Sequence, residues 1–155
     1  MKNINKGAVQ EIIAQILELE KDEVDLDAAL IDDLGAESLD LVDITFTLGK
    51  RLGIRLPTKT TLIMAEDILH ETAKLTERGR LTRIGALFLQ DGPNKYPAII
   101  AKEGAAVDHI MSCTTVENWF NLCQFIANHP SRSGDTAIAE YIHEFSKKYE
   151  LTAAA

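Results

Sequence analysis

Only two cysteines, Cys113 and Cys123, occur among 155 residues. That is too few for a disulfide framework, so reduced thiols are the default expectation. No apolar run approaches the roughly 18 to 20 residues that a membrane span requires. The chain passes from Met1-Lys2-Asn3-Ile4-Asn5 straight into a polar-interrupted helical pattern, and the expected compartment is the cytoplasm. A Gly-rich phosphate loop, a zinc-hydrolase motif, a dinucleotide fingerprint and nucleic-acid motifs are all missing. A metal centre would recruit His109, four residues before Cys113, with His129 or His143. No recognised ligand spacing supports it, and no metal is expected.

What is present is ordinary for a globular chain able to fold alone, with 46% hydrophobic and 26% charged residues. The net charge of −8 is unevenly placed. Residues 1–57 hold 6 Lys/Arg against 12 Asp/Glu, residues 58–113 hold 7 of each, and residues 114–155 hold 3 against 5. An acidic first third repels nucleic acid and anionic membrane and speeds encounters with basic partners, or it is a solvated face kept for solubility.

Hydrophobic periodicity is helical in most of the chain. Val9, Ile12, Ile13, Ile16, Leu17 and Leu19 define a first helix from Gly7 to Leu19. Residues 20–37 lose that period and read as a long ordered loop anchored by Val24, Leu26, Leu30, Ile31 and Leu34. Gly35 closes the loop where the backbone must turn. Ser38 to Leu52 reads as a second helix, with Leu39, Val42 and Phe46, flanked by Leu41, Ile44, Leu48 and Leu52, forming one wide apolar stripe and Asp40 and Asp43 facing outward. Gly49 inside it costs about 1 kcal/mol against alanine, which suggests close packing or space left beneath it. Pro57 rules out continuation.

Residues 60–78 are again helix-like, with Gly79 as the stop; residues 81–90 fit a short helix or a strand, 91–94 a turn, and 105–111 a helical turn or two. Thr114-Thr115-Val116-Glu117 starts a strongly apolar helix ending near Pro130. Residues 131–134 read as a linker, 135–149 as an amphipathic tail helix, and Ala153 to Ala155 as disordered.

The densest signal is Asp32-Asp33-Leu34-Gly35-Ala36-Glu37-Ser38-Leu39-Asp40. It presents one serine at a glycine turn, wrapped in carboxylates, where an amphipathic helix begins. A serine there is otherwise a preferred N-cap. Nucleophilic catalysis in cis would need a base, but the sequence neighbours are Glu37 and Asp40, and the nearest histidine is His70. Catalysis added by the later segment would draw on His70, His109 or Cys113, no two of which form a recognisable pair in sequence.

Residues 4–57 resemble an acyl carrier protein, and Asp33-Leu34-Gly35-Ala36-Glu37-Ser38-Leu39-Asp40 resembles its phosphopantetheine attachment motif. The family's last helix, typically opening Thr-Thr-Val, is matched by Thr114-Thr115-Val116. The resemblance therefore implies an all-α, four-helix acyl-carrier-like bundle at 1–130. An insertion at about 59–112 would replace the short third helix, and a linker and tail helix would occupy 131–155. It implies a non-enzymatic carrier whose Ser38 receives a covalent 4′-phosphopantetheine arm from coenzyme A, with the general base supplied by a phosphopantetheinyl transferase.

The arm's thiol would carry acyl intermediates of fatty-acid, lipid or polyketide-type synthesis to ketosynthases, acyltransferases or other acyl-processing enzymes. Glu37, Asp40 and Asp43 would dock those partners, and Leu39, Val42, Phe46 and Leu48 would line the acyl pocket, with residues such as Trp119 and Phe120. Glu37 stands where the family commonly has aspartate, and Lys50-Arg51 with Arg55 replaces acidic residues common late in the second helix. Ile31-Asp32-Asp33-Leu34-Gly35, Asp43-Ile44, Phe46 and Gly53-Ile54 are similar to carriers dedicated to very-long-chain acyl groups of lipid A. The alternative function is a docking adaptor that keeps the carrier fold without carrier activity.

The charge imbalance makes a prediction of its own. With a net of −6 in the first 57 residues, self-repulsion should lower the melting temperature at low ionic strength. Raising salt from roughly 10 to 200 mM shrinks the Debye length from about 30 Å to under about 10 Å and is expected to raise Tm in a calorimetric scan.

Overall fold

The computed structural model describes residues 3–151, so the expectation for Ala153 to Ala155 lies outside the described residues. The fold is all-α. Among the described residues there are seven α-helices: α1 (Lys6–Leu17), α2 (Ser38–Leu52), α3 (Thr61–Leu69), α4 (Arg83–Asp91), α5 (Val107–Ser112), α6 (Val116–Asn128) and α7 (Gly134–Lys148). A two-residue hairpin, β1 (Thr76–Glu77) with β2 (Arg80–Leu81), interrupts them.

The helix boundaries have local causes. The Asn5 side chain accepts the Ala8 N–H at the start of α1, and Val9, Ile12, Ile13 and Ala14 are its buried face. α2 ends on Gly53 in the left-handed region, with Lys50 and Arg51 in its last turn. Thr60, Thr82 and Thr115 hydroxyls accept first-turn N–H groups of α3, α4 and α6.

α1 packs against α2 and α6, and a Cβ on Gly49 would lie 2.9 Å from the Ile54 carbonyl. That approach is how the chain folds back after α2.

The apolar stripe expected on α2 divides in two. Ile44 and Leu48 are fully buried, whereas Leu39, Val42 and Phe46 are 82%, 67% and 70% exposed. Both rows have helical spacing, and only one can face the core.

Residues 60–78 are not one helix: α3 stops at Leu69, and Gly79 forms the hairpin turn at φ +77° instead of ending a helix. The segment 81–90 resolves as helix α4. Residues 131–134 are not a free linker. The Arg55 N–H donates to the Arg132 carbonyl at 2.9 Å and the Gly134 N–H donates to the Arg55 carbonyl at 2.6 Å, because backbone entering the protein must find partners.

α7 packs on α3 and α6, and its Ile138, Ile142 and Phe145 belong to the same core as Ile12 and Leu48. Phe88 of α4 is fully buried, with the Phe145 ring edge-on at 5.2 Å and the Tyr141 ring at 5.8 Å. Phe88→Ala is therefore expected to cost about 3–5 kcal/mol in urea unfolding. Deletion of residues 134–155 is expected to abolish the cooperative transition.

Candidate functional site at the start of α2

The loop before α2 is held by its own turns. The Asp33 carboxylate accepts the Ala29 N–H at 2.7 Å, while the Asp33 N–H donates to the Ala29 carbonyl at 2.9 Å. The Ala36 N–H donates to the Leu30 carbonyl at 2.8 Å, and Gly35 turns at φ +72°, where a side chain would be strained. Ala36 is thereby drawn into the core, and Glu37 and Ser38 are left outside.

A second set of bonds fixes the loop against the start of α6. The Leu30 N–H donates to the Thr114 carbonyl, the Val116 N–H to the Ala28 carbonyl and the Glu117 N–H to the Leu26 carbonyl, at 3.1, 3.0 and 2.9 Å.

Ser38 does not cap the helix. Glu37 does, in a reciprocal box: its side chain accepts the Asp40 N–H, and its own N–H donates to the Asp40 carboxylate at 2.8 Å. Ser38 is the first residue inside α2 and exposed, and among the described residues its hydroxyl makes no hydrogen bond. Nor do the N–H groups of Ser38 and Leu39 have partners there. The three acidic candidates thus differ: Glu37 and Asp40 are tied to each other through the helix start, and Asp43 is exposed one turn on.

Beside this end of α2 opens a groove of about 800 Å3. Val42, Phe46 and Leu41 line one wall, Ile31 comes from the motif loop, and Met111 and Trp119 face them. Leu48 is fully buried in the core, and Leu39 points outward and does not line the groove. Phe120 is half-buried away from it, with the Lys6 ammonium 5.2 Å from its ring. Of the four pocket candidates the groove therefore takes Val42 and Phe46. It adds Ile31, read in sequence as a loop anchor, Leu41, read as part of the apolar stripe of the second helix, and Tyr96 and Met111, which carried no local signal.

The fold also brings Cys113 to the motif loop. Its sulfur lies 3.7 Å from the Asp32 carboxylate and 3.8 and 3.7 Å from the two ring nitrogens of His109. Neither nitrogen is singled out, so no base is aimed at the thiol. Burial first, and the Asp32 carboxylate second, push the Cys113 thiol above its ordinary range, the reverse of an activated nucleophile. Cys123 is pushed up to about 12 by burial alone. His70 faces the Asp67 carbonyl, and His129 pairs with Ser131 and Glu140. Among the described residues no three His, Cys, Asp or Glu side chains gather to hold a metal ion.

Comparison with known proteins decides what the serine turn belongs to. Residues 7–63 match the family described as phosphopantetheine attachment site. That segment is similar to domains that carry a phosphopantetheine attachment site. Over 49 residues the chain is 43% identical to acyl carrier protein AcpXL of Brucella melitensis, covering 32% of this chain and 53% of that protein.

An acyl carrier protein of Treponema denticola is 41% identical over 49 residues, 32% of this chain and 63% of its own length. One of Petrotoga mobilis is 48% identical over 46 residues, 30% and 54%. The chain thus spans between about half and under two thirds of the relatives it matches. No solved structure matches it.

The matched family is described by the attachment of phosphopantetheine, and these relatives are named as acyl carriers. No described helix is long and apolar enough to cross a membrane.

The thiol geometry can be checked directly. In the native protein Cys113 is expected to react with iodoacetamide near pH 8 more slowly than free cysteine, and buried Cys123 not at all. Asp32→Asn removes the adjacent negative charge, favours the thiolate and is expected to speed Cys113 labelling severalfold. An unchanged rate would show that Asp32 does not govern the thiol.

Proposed function

We propose that Ser38 is the residue that accepts the 4′-phosphopantetheine arm, and that the groove along α2 shelters the acyl chain the arm carries. The observation that carries this reading is a hydroxyl free of hydrogen bonds at the first position of α2, about 6 Å along the helix from Val42 at the mouth of the groove. Ser38 donates the nucleophilic oxygen, and Gly35 and the Glu37 cap hold it in the open, where a transferase can supply the base the chain lacks.

The unpartnered N–H groups of Ser38 and Leu39, at the positive end of a 15-residue helix, fit a phosphodiester on that oxygen. When bound, the arm supplies a thiol that holds acyl groups as thioesters. Val42, Phe46, Leu41 and Trp119 then keep the chain from water, which removes the cost of their own exposure.

Glu37, Asp40 and Asp43 lie on the face around Ser38 and suit a basic patch on the transferase and on ketosynthases or acyltransferases. α6 would be the counterpart of the family's last helix, since it packs on α1 and pairs with the motif loop. Residues 59–112 would then be an insertion within a carrier of fatty-acid, lipid or polyketide-type synthesis working in the cytoplasm. Its acyl groups would be long, as in carriers of very-long-chain acyl groups.

Intact-mass measurement after incubation with coenzyme A, magnesium and a promiscuous phosphopantetheinyl transferase tests the anchor. The wild type is expected to gain one phosphopantetheine and Ser38→Ala none. An unmodified wild type that still binds its partner enzymes after Ser38→Ala would make the chain a docking adaptor instead.

A further inference from the structure

The groove is not uniform along its length, and the carrier reading leaves that unexplained. At the Ser38 end its walls are Ile31, Leu41, Val42, Met111 and Trp119. Past Phe46 in sequence the lining adds cations to apolar residues: Lys50, Arg55 and Lys59 line the groove with Ile54, Leu56, Pro57 and Leu62. Lys50 lies twelve residues past Ser38 on the same helix, about 18 Å along its axis.

Lys59 is paired with Asp67 at 2.8 Å, but Lys50 and Arg55 have no ion-pair partner among the described residues. One carboxylate, Asp135, also lines this end, so the cations there exceed the facing anions by one after the Lys59 pair is set aside. α3 begins at Thr61 and α7 at Gly134, so both helices direct their starts, and hence positive dipole ends, to the same region.

Lys50 and Arg55 are exposed, and a plain hydrocarbon tail that reached this end would leave both without an ion-pair partner. A chain with an anionic terminus would lay its methylenes on the apolar stretch and give Lys50 and Arg55 the partner they lack. Resting on the carrier reading above, we infer that this groove selects acyl chains ending in a carboxylate, an ω-carboxyacyl thioester on the protein's own arm. The apolar proximal wall sets the chain, and Lys50 with Arg55 reads its end. Lys50, late in α2, and Arg55, just beyond its end, are thereby part of the cargo site.

The test loads the full-length protein through a promiscuous transferase with two coenzyme A thioesters of equal chain length, one methyl-terminated and one ω-carboxylated. Cleavage of each thioester by hydroxylamine is then timed, at low and high salt. The ω-carboxyacyl form is expected to be cleaved about tenfold more slowly than the methyl form at low salt, with the gap narrowing at high salt. Lys50→Gln with Arg55→Gln is expected to abolish the difference between the two chains.

Equal protection of both chains, or better protection of the methyl chain, overturns the selectivity while leaving the groove as the acyl site. Cleavage of both at the rate of a free thioester overturns the groove as shelter. Failure to load, seen by mass, overturns the carrier reading itself.

Discussion

The short backbone pairing between the motif loop and the start of α6 is the constraint on which the rest of this structure depends. Three N–H to carbonyl bonds join residues 26–30 to residues 114–117. They immobilise the loop that leads to Ser38 and bring Thr114 and Met111 to the groove. They also return the chain to α1 and α2 after α3, the hairpin, α4 and α5. A segment of that size can be accommodated because its two ends are fixed by neighbouring backbone, not by its own length; lengthening a closed loop costs only about 0.6 kcal/mol per doubling. The added helices then contribute their own burial, through Phe88, Leu89 and Ile110.

Much of this was legible in the sequence where local chemistry is decisive. The turn at Gly35, the start of α2 at Ser38, the Thr115 cap and the close approach at Gly49 each follow from one residue's conformational preference or size. The second helix shows where such reading stops. Leu39, Val42 and Phe46 recur at three and four residues, and so do Leu41, Ile44, Leu48 and Leu52.

Periodicity identifies a helix with two apolar rows but cannot say which row meets the core. The helices between α2 and α6 were harder still. α3 and α4 have 9 residues each and α5 has 6, below the length at which a helix carries its own local signal, so tertiary packing decides them. The approach of Cys113 to Asp32 joins residues 81 apart in sequence, which no spacing argument reaches.

Charge is arranged along α2 as the helix itself prefers, with Asp40 in its first turn and Lys50 and Arg51 in its last. The same arrangement polarises the protein around the groove. Glu37, Asp40 and Asp43 stand within five residues of Ser38 in sequence, whereas along the groove wall cations outnumber anions. A partner approaching Ser38 and a chain lying in the groove therefore meet opposite fields. Docking and cargo recognition can be separated on one helix without competing for the same side chains.

The exposed apolar row has an energetic meaning. Burying a Val or Phe side chain is worth about 1.5–3 kcal/mol, and a domain's whole stability is only about 5–15 kcal/mol. Leaving Val42 and Phe46 67% and 70% exposed thus withholds a sizeable part of what the fold could have gained. The buried row of α2 and the core shared by α3, α4 and α7 supply the stability that permits it. The withheld burial is available only to something that covers α2 from outside. An acyl chain entering at Val42 would collect part of it without any rearrangement of the helices, because the two rows were separated when the chain folded.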